Sequence, residues 1–317
     1  MKKLLIYMPA LNEGATIFQV INNLPKNFEG IDKTEILVVN DGSTDNTVSE
    51  AERAGAKVVS HIRNQGVGMA FRTAVKTALE MKADILVTID ADGQFDSNQI
   101  KDFIKPILNK EADFCIGNRF FEKKPDNMPS LKHWGNMRVN KLVGIACNER
   151  IYDASCGFRA YSRECLLSLN LLGRFTYTHE TIIDLTFKSY KVAQIPVSVK
   201  YFENRVSRVA HNLTRYAYQS GKIILKSVRD NYPLKFFGSL AIIVFIFSLI
   251  GAFFIFSHWL VYDAITPYKS IAFGSLFGFI ISLLLALLAL IADMLGRILL
   301  NQDQILYNLK KQRYDGN

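Results

Sequence analysis

The chain has 317 residues, a length that by itself admits one large domain or two smaller ones. Its net charge of +9 suits nucleic acid, anionic lipid or phosphorylated substrates, and the placement of that charge argues against nucleic acid. Cys115, Cys147, Cys156 and Cys165 form no CxxC pair and have no histidines at zinc spacing, so a structural zinc site is excluded and reduced thiols are expected.

In chain order, the opening MKKLLIYMPALNE has two lysines before an apolar run, but the run is too short for a signal peptide and Pro9, Asn12 and Glu13 interrupt it. It reads as a buried strand over Leu4–Met8. Further short apolar runs follow at Ile36–Val39, Val58–His61, Ile85–Ile89 and Phe114–Gly117, separated by helix-length amphipathic segments. Strands alternating with helices predict an α/β domain with a mainly parallel sheet. Ser43 or Thr44 is placed to cap a helix running through Ala54, and Gly66 precedes another running through Met81. Beyond Asn118 the pattern gives a long helix around Leu131–Cys147, the segment SCGFRAY, a short helix from about Arg163, and a strand at Ala193–Val199.

The C-terminal third is different in kind. No Asp, Glu, Lys or Arg occurs from Phe236 to Tyr262 or from Ser270 to Ala292, and each stretch exceeds the ~20 apolar residues that span a bilayer as a helix. Two transmembrane helices forming a hairpin are therefore expected. The connecting loop holds only Asp263 and Lys269, whereas Lys222, Lys226, Arg229 and Lys235 precede the first helix and Arg297, Lys310, Lys311 and Arg313 follow the second. Positive residues collect on the cytoplasmic side, so both flanks and the N-terminal domain are expected there. Between Asn212 and Asp230 a helical wheel sets Arg215, Lys222, Lys226 and Arg229 opposite Leu213, Tyr216, Ala217, Ile224 and Val228, the pattern of a helix in the headgroup region. The expected organisation is a domain over 1–210, an amphipathic juxtamembrane helix over 211–235, and two membrane helices with a tail over 236–317.

In parallel sheets ligands gather at the carboxyl ends of strands, and the chemically interesting residues fall there. The strand Ile85–Ile89 runs into Asp90-Ala91-Asp92-Gly93-Gln94, where two carboxylates one residue apart can turn toward one cation. Hard oxygen ligands suit Mg2+ or Mn2+, which leave coordination sites for substrate phosphates. Such an ion neutralises charge on a departing diphosphate. The strand Ile36–Val39 ends in Asn40-Asp41-Gly42-Ser43-Thr44-Asp45, and Leu4–Met8 ends in Pro9-Ala10-Leu11-Asn12-Glu13. Gly66 and Gly68 resemble a fragment of GxGxxG, but Phe71 stands where the third glycine belongs, which argues against a nicotinamide site. His179 beside Glu180 admits acid–base work or a structural role, and Trp134 and Trp259 read as packing and interface residues.

PALNE, VVNDGSTD, RNQGVGMAFRTA, DADGQ and GNRF, in that order, resemble the family 2 glycosyltransferases of GT-A fold, a Rossmann-like arrangement. SCGFRAY and the membrane hairpin narrow the resemblance to the polyisoprenyl-phosphate glycosyltransferases. That resemblance implies an enzyme using a UDP- or GDP-hexose, a divalent metal and a polyisoprenyl phosphate acceptor, with inversion at the anomeric carbon. Carried over by position, it implies that Pro9, Ala10, Asn12 and Glu13 line the nucleotide pocket and that Asp41 holds the base or ribose. Asp90, Asp92 and Gln94 would surround the metal and sugar diphosphate. Arg119, with Asp92 and Gln94, would act at the reacting centre, and Arg138 and Arg205 or Arg208 would meet the acceptor phosphate. It implies an integral protein of the plasma membrane or an ER equivalent, in contact with membrane lipids, and leaves a homo-oligomer open.

Transfer to a lipid hydroxyl or a growing polysaccharide is the enzymatic alternative, with Glu180 or Asp184 as base. The QxxRW motif of processive synthases is absent. A non-catalytic sugar-nucleotide or lipid-binding module is the other alternative, against which intact DADGQ and Arg119 speak.

Overall fold

The computed structural model describes residues 1–121, 125, 128–171, 177–200, 221–222, 224–226 and 228–316. They divide into two compact units, Met1–Leu225 with Asp303–Asn317, and Lys226–Gln302.

The first unit is built on a seven-stranded sheet of β1 (Lys3–Ala10), β2 (Lys33–Asn40), β3 (Lys57–Ser60), β4 (Ile85–Thr88), β5 (Phe114–Asn118), β6 (Arg159–Ser162) and β7 (Val192–Pro196). Their spatial order is β3-β2-β1-β4-β6-β5-β7, and β6 alone runs antiparallel to its neighbours. The buried runs LLIYM, LVV and ILVT have both faces covered, as strands inside an α/β sandwich must. On one face Leu4, Ile6, Met8, Val87, Phe103 and Phe158 share a core with α1 (Ile17–Asn22), α2 (Thr47–Arg53) and α4 (Ile100–Leu108). On the other, Tyr7 and Tyr161 pack on Phe71 of α3 (Val67–Glu80), and Phe71 stacks on Tyr177 at 4.0 Å between centroids. The sequence pattern does not mark β6; its first three residues are the end of SCGFRAY, where Gly157 and Cys156 break the apolar run.

Helix α2 begins three residues beyond the expected cap. Ser43 Oγ accepts from the Asn12 N–H at 2.8 Å and the Thr44 N–H donates to Asn12 Oδ1 at 2.8 Å, so these side chains join two strand-end loops instead of closing a helix. Gly42 in this turn has φ of +81°, and an added Cβ would lie 2.7 Å from the backbone of Arg63 and Asn64. Both conditions select glycine. Gly42→Ala should cost about 1–3 kcal/mol, lowering the apparent Tm of the detergent-solubilised protein by about 5 °C. An unchanged melting midpoint would show that the turn relaxes freely.

The remaining soluble helices are α5 (Ser130–Cys147), α6 (Arg163–Ser168) and α7 (Thr178–Phe187). The C-terminal residues are fastened to this unit by charge pairs. Lys188 Nζ lies 3.0 Å from both Asp184 and Asp303, Lys310 Nζ donates to the Leu169 carbonyl and Asn170 Oδ1, and Arg163 pairs with Asp315. All four cysteines are free and buried. Burial pushes the thiols of Cys115, Cys147 and Cys156 up to about 12, which suits inert packing residues.

The second unit holds most of two apolar helices, Pro233–Tyr262 and Lys269–Asp315, each long and apolar enough to cross a membrane. Within it, Ser248 lies against Gly278 and Ser275 against Gly251, so one partner's number rises as the other's falls, the register of an antiparallel pair. Small residues at these crossings let the backbones approach closely. Each serine hydroxyl is satisfied within its own helix, Ser248 by the Val244 carbonyl at 2.8 Å and Ser275 by that of Ile271 at 2.9 Å. The amphipathic segment expected over 211–235 lies outside the described residues at 211–220, 223 and 227; of its apolar side, Ile224 is buried.

Candidate active site

The parallel register brings the carboxyl ends of β1, β2 and β4 to one edge, with Ala10 opposite Asn40 and Tyr7 opposite Thr88. That edge contains the point where strand order reverses about β1, the usual place for a ligand crevice in an open α/β sheet. β5 shares the direction of β4, so Asn118 and Arg119 emerge on the same edge.

The loops after β1 and β2 are knitted into one wall. Besides the Asn12 contacts, the Glu13 N–H donates to Thr47 Oγ1 at 2.8 Å and the Gly14 N–H to Asp45 Oδ2 at 3.0 Å. An added Cβ at Gly14 would meet the side-chain ends of Asn46 and Asp45, so the two loops lie close together here. Burial acts against the Asp45 carboxylate, yet donors from Thr47 and Gly14 hold it below the ordinary carboxylate range. Pro9 and Ala10 lie at the base of this wall, half-buried and buried, while Asn12 is exposed at its rim.

Asp41 is buried, and its Oδ1 accepts from the Gln65 N–H at 2.9 Å and meets His61 Nδ1 at 2.7 Å, while Oδ2 accepts from the Gly66 N–H at 2.8 Å. His61 Nε2 in turn lies 2.9 Å from Thr73 Oγ1. Asp41 therefore orders the turn that starts α3. His61 was invisible to the sequence reading because its role depends on a partner 20 residues away.

Asp90 and Asp92 flank the buried Ala91 and are both half-buried. Asp92 Oδ1 accepts from the Gln94 N–H at 3.0 Å, which sets the turn of the loop. The Gln94 carbonyl accepts from the Lys200 N–H at 2.9 Å, so the chain leaving β7 runs beside the acidic loop. Asp90 lies against Gly157, where an added Cβ would sit 3.3 and 3.4 Å from its two carboxylate oxygens. The glycine of SCGFRAY thus keeps space beside a carboxylate. Among the described residues no group of three or more His, Cys, Asp or Glu side chains gathers at metal-binding distance. Two carboxylates suffice for a hard cation that keeps waters and substrate phosphate oxygens as its other ligands, so the donor set fits Mg2+ or Mn2+.

Arg119 is held by Asp153, a fully buried carboxylate. Nε donates to Oδ2 at 2.6 Å, Nη2 to Oδ1 at 2.8 Å, and the Arg119 N–H to Oδ2 at 3.1 Å. The bidentate fork fixes the plane of the guanidinium. Lys132 is close enough that its ammonium is pushed down, first by burial and then by the Arg119 charge. Two cations against one carboxylate suit a site for phosphate oxygens. Neither Asp153 nor Lys132 carried a signal in the sequence.

Arg159, also unassigned from the sequence, is fully buried and donates to the carbonyls of Ala154, Cys156 and Thr178 and to Thr181 Oγ1, all at 2.7–2.9 Å. It ties the SCGFRAY loop to α7. Its guanidinium carbon lies 5.9 Å from the centroid of the buried Tyr177 ring. The Tyr7 hydroxyl has no hydrogen-bond partner among the described residues, and burial, with Tyr177, Asp90 and Asp41 adding, pushes its phenol well up.

His179 is fully buried, 3.3 Å from Ser155 Oγ, and burial with the Arg159 charge pushes its imidazole down to about 3. Burial thus favours the neutral imidazole, which supports the structural reading of His179 over acid–base work. In the unfolded chain it titrates near ~6.5, so below that pH the unfolded state gains a proton that the folded state refuses. Stability should therefore fall by about 1.4 kcal/mol per pH unit between about 5.5 and 3, and His179→Gln should flatten that slope in melting midpoints. Identical slopes would mean that the histidine is not buried in the neutral form. Asp184, the base of the alternative chemistry, is bound to Lys188, and its carboxyl is raised mainly by burial.

Arg138 is exposed on α5, with its guanidinium 5.3 Å from the Trp134 ring centroid. Trp134 is itself exposed, contrary to its reading as a packing residue. Arg205 and Arg208 lie outside the described residues.

Residues 5–168 match the model of glycosyl transferase family 2. UDP-N-acetylglucosamine–dolichyl-phosphate N-acetylglucosaminyltransferase of Methanococcus voltae is 32% identical over 229 residues, covering 65% of this chain and 89% of that protein. Glycosyltransferase AglJ of Haloferax volcanii is 28% identical over 295 residues, 92% of each chain, so the similarity extends into the apolar helices. Glucosyl-3-phosphoglycerate synthase of Mycobacterium tuberculosis, solved with Mn2+, UDP-glucose and phosphoglyceric acid, has a TM-score of 0.53 at 23% identity, covering 72% of this chain and 80% of that one. It shares the fold. The acidic loop at the sheet's switch point and Arg119 on the same edge accord with these matches, and the chain belongs to glycosyl transferase family 2.

Proposed function

We propose that this glycosyltransferase moves a hexose from a nucleotide sugar to a polyisoprenyl phosphate, at the cytoplasmic face of the membrane that its apolar helices cross. The observation that carries the reading is that the acidic loop of Asp90 and Asp92 after β4 and the Asp153-held Arg119 after β5 leave the sheet at one edge, on a domain followed by two membrane-length helices. The relatives named as dolichyl-phosphate transferases, and the UDP-glucose bound in the structural neighbour, agree with it.

In this reading the strand-end loops at Pro9, Ala10, Asn12 and Glu13 line the nucleotide pocket, with Asp41 placing the base or ribose. Asp90, Asp92 and Gln94 hold a divalent cation, whose contribution is to take up charge on the departing diphosphate. An oxygen of the lipid phosphate attacks the anomeric carbon, the bond from that carbon to the diphosphate oxygen breaks, and its electron pair leaves with the nucleoside diphosphate. The phosphate nucleophile is already ionised at neutral pH, so no side chain has to remove a proton. Arg119, Arg138 and Arg205 or Arg208 are the acceptor-side cations, and inversion follows from a single displacement.

The full-length protein in detergent, given polyprenyl phosphate, Mg2+ or Mn2+ and a panel of sugar nucleotides, should yield a lipid heavier by one hexose. Nucleoside diphosphate release with no sugar-lipid product would sink the proposal. Topology has its own measurement. Single cysteines introduced near Asp263 and near Gln312 should differ, with an impermeant reagent outside intact cells labelling the first alone.

A further inference from the structure

The buried side of α5 is formed by Asn136, Asn140, Val143, Ala146 and Cys147, while its largest apolar side chains lie on the outside. A helix on a soluble domain turns its large apolar residues inward. Here Asn136 and Asn140 are buried, and Asn140 is fully used, donating to the Tyr152 carbonyl at 2.5 Å and accepting from the Ala154 N–H at 2.9 Å. The outward side carries Leu131, Trp134, Leu142 and Ile145, the last 68% exposed and the first three above half. With Arg138 and Lys141 these positions recur at three- and four-residue spacing and therefore form one stripe. Among the described residues of the first 200, Met1 and Ile62 are the sole large exposed apolar side chains outside the interval 121–152.

We infer that this outer face of α5 docks on the headgroup region of a bilayer that carries anionic lipid. Three observations choose that occupant. The outward stripe carries two basic residues, Arg138 and Lys141, and the helix contains no acidic one, which complements an anionic surface. Its tryptophan is paired with an arginine, 5.3 Å from guanidinium carbon to ring centroid, and both residue types favour the membrane interface. The same chain also holds two membrane-length helices, so a bilayer is tethered to this domain at high local concentration. The inference rests on those helices being embedded, as the proposed function requires. Its consequence for that function is that Arg138, in the middle of the stripe, would stand at the depth where a lipid phosphate lies.

Trp134 and Trp259 are the two tryptophans of the chain, which makes a test that separates the two claims. The full-length protein is placed in vesicles whose acyl chains carry bromine, with and without phosphatidylglycerol. Trp259→Phe leaves Trp134 as the reporter on α5, and Trp134→Phe leaves Trp259 as the reporter on the first apolar helix. Both emissions should be quenched by the brominated lipid. Quenching of Trp134 should weaken about threefold without the anionic lipid, and likewise on adding Lys141→Glu with Ile145→Glu. Quenching of Trp259 but not Trp134, with aqueous acrylamide reaching Trp134, would overturn the docking face while leaving the anchor intact. Trp134 shielded from both quenchers would mean a protein contact and would equally overturn it. No quenching of Trp259 would remove the anchor, and this inference with it.

Discussion

Asp92→Asn should lower kcat by at least about 100-fold while leaving the melting midpoint unchanged, because the substitution removes a charged oxygen without removing an acceptor. Asp92 Oδ1 takes the Gln94 N–H at 3.0 Å, and an asparagine carbonyl oxygen can take that same bond, so the loop keeps its turn. On the proposed mechanism, what is lost is one unit of negative charge toward the cation, and with it the hold on the ion that would take up charge from the leaving diphosphate. Asp90→Asn should behave alike, since the space beside Asp90 at Gly157 is kept by the glycine and does not depend on the charge of the carboxylate. The measurement is single-turnover sugar transfer over a titration of Mn2+, with EDTA as the zero point. Wild-type turnover in Asp92→Asn, or full activity in EDTA, would remove the divalent cation from the mechanism.

The second large effect is expected at a residue that was not among the sequence-derived site positions. Asp153 is fully buried and receives both arms of the Arg119 guanidinium together with the Arg119 N–H. Asp153→Asn keeps the shape but turns an NH2 toward a guanidinium donor and leaves the Arg119 charge uncompensated at a site with little water. Breaking a buried pair from one side costs about 3–5 kcal/mol, far above the ~0–1 kcal/mol of a surface pair. Thermal unfolding of the variant should show that loss. Transfer activity, measured well below the lowered midpoint, should fall as well because the arginine plane is no longer fixed. The discriminating companion is Arg119→Lys, which keeps the charge near Asp153 but not the fork; it should retain more stability than Asp153→Asn while still losing rate. If Asp153→Asn melted and turned over like the parent, the pair would be a bystander.

Much of this protein was legible before any coordinates. The apolar runs that became β1, β2, β4 and β5, the helix pattern of α3 and α5, and the two uncharged stretches are local signals, because a strand or helix imprints its period on neighbouring residues. DADGQ was legible for the same reason: both carboxylates and the turn that presents them lie within five consecutive residues. What stayed hidden depended on chain segments meeting. β6 is short, interrupted upstream by Cys156 and Gly157, and exists because β4 and β5 leave a gap that an antiparallel strand fills. Ser43 and Thr44 looked like helix caps, and only the arrival of Asn12 from the neighbouring strand end gave their hydrogen bonds another destination. Asp153 meets Arg119 across 34 residues, and His61 meets Asp41 across 20. Arg159 needed α7 to supply part of its cradle. On α5 the sequence alone showed a helix with asparagines, leucines and basic residues in proportions that fit either orientation. Packing against the soluble domain decided it, because Asn140 had the Tyr152 and Ala154 backbone groups to satisfy, and burying it there left the apolar stripe outside. Sequence by itself thus determined the periodic elements and the acidic loop, whose causes act over a few residues. Tertiary structure decided the charge pairs and the outward face, whose energies exist only once distant groups share a desolvated contact.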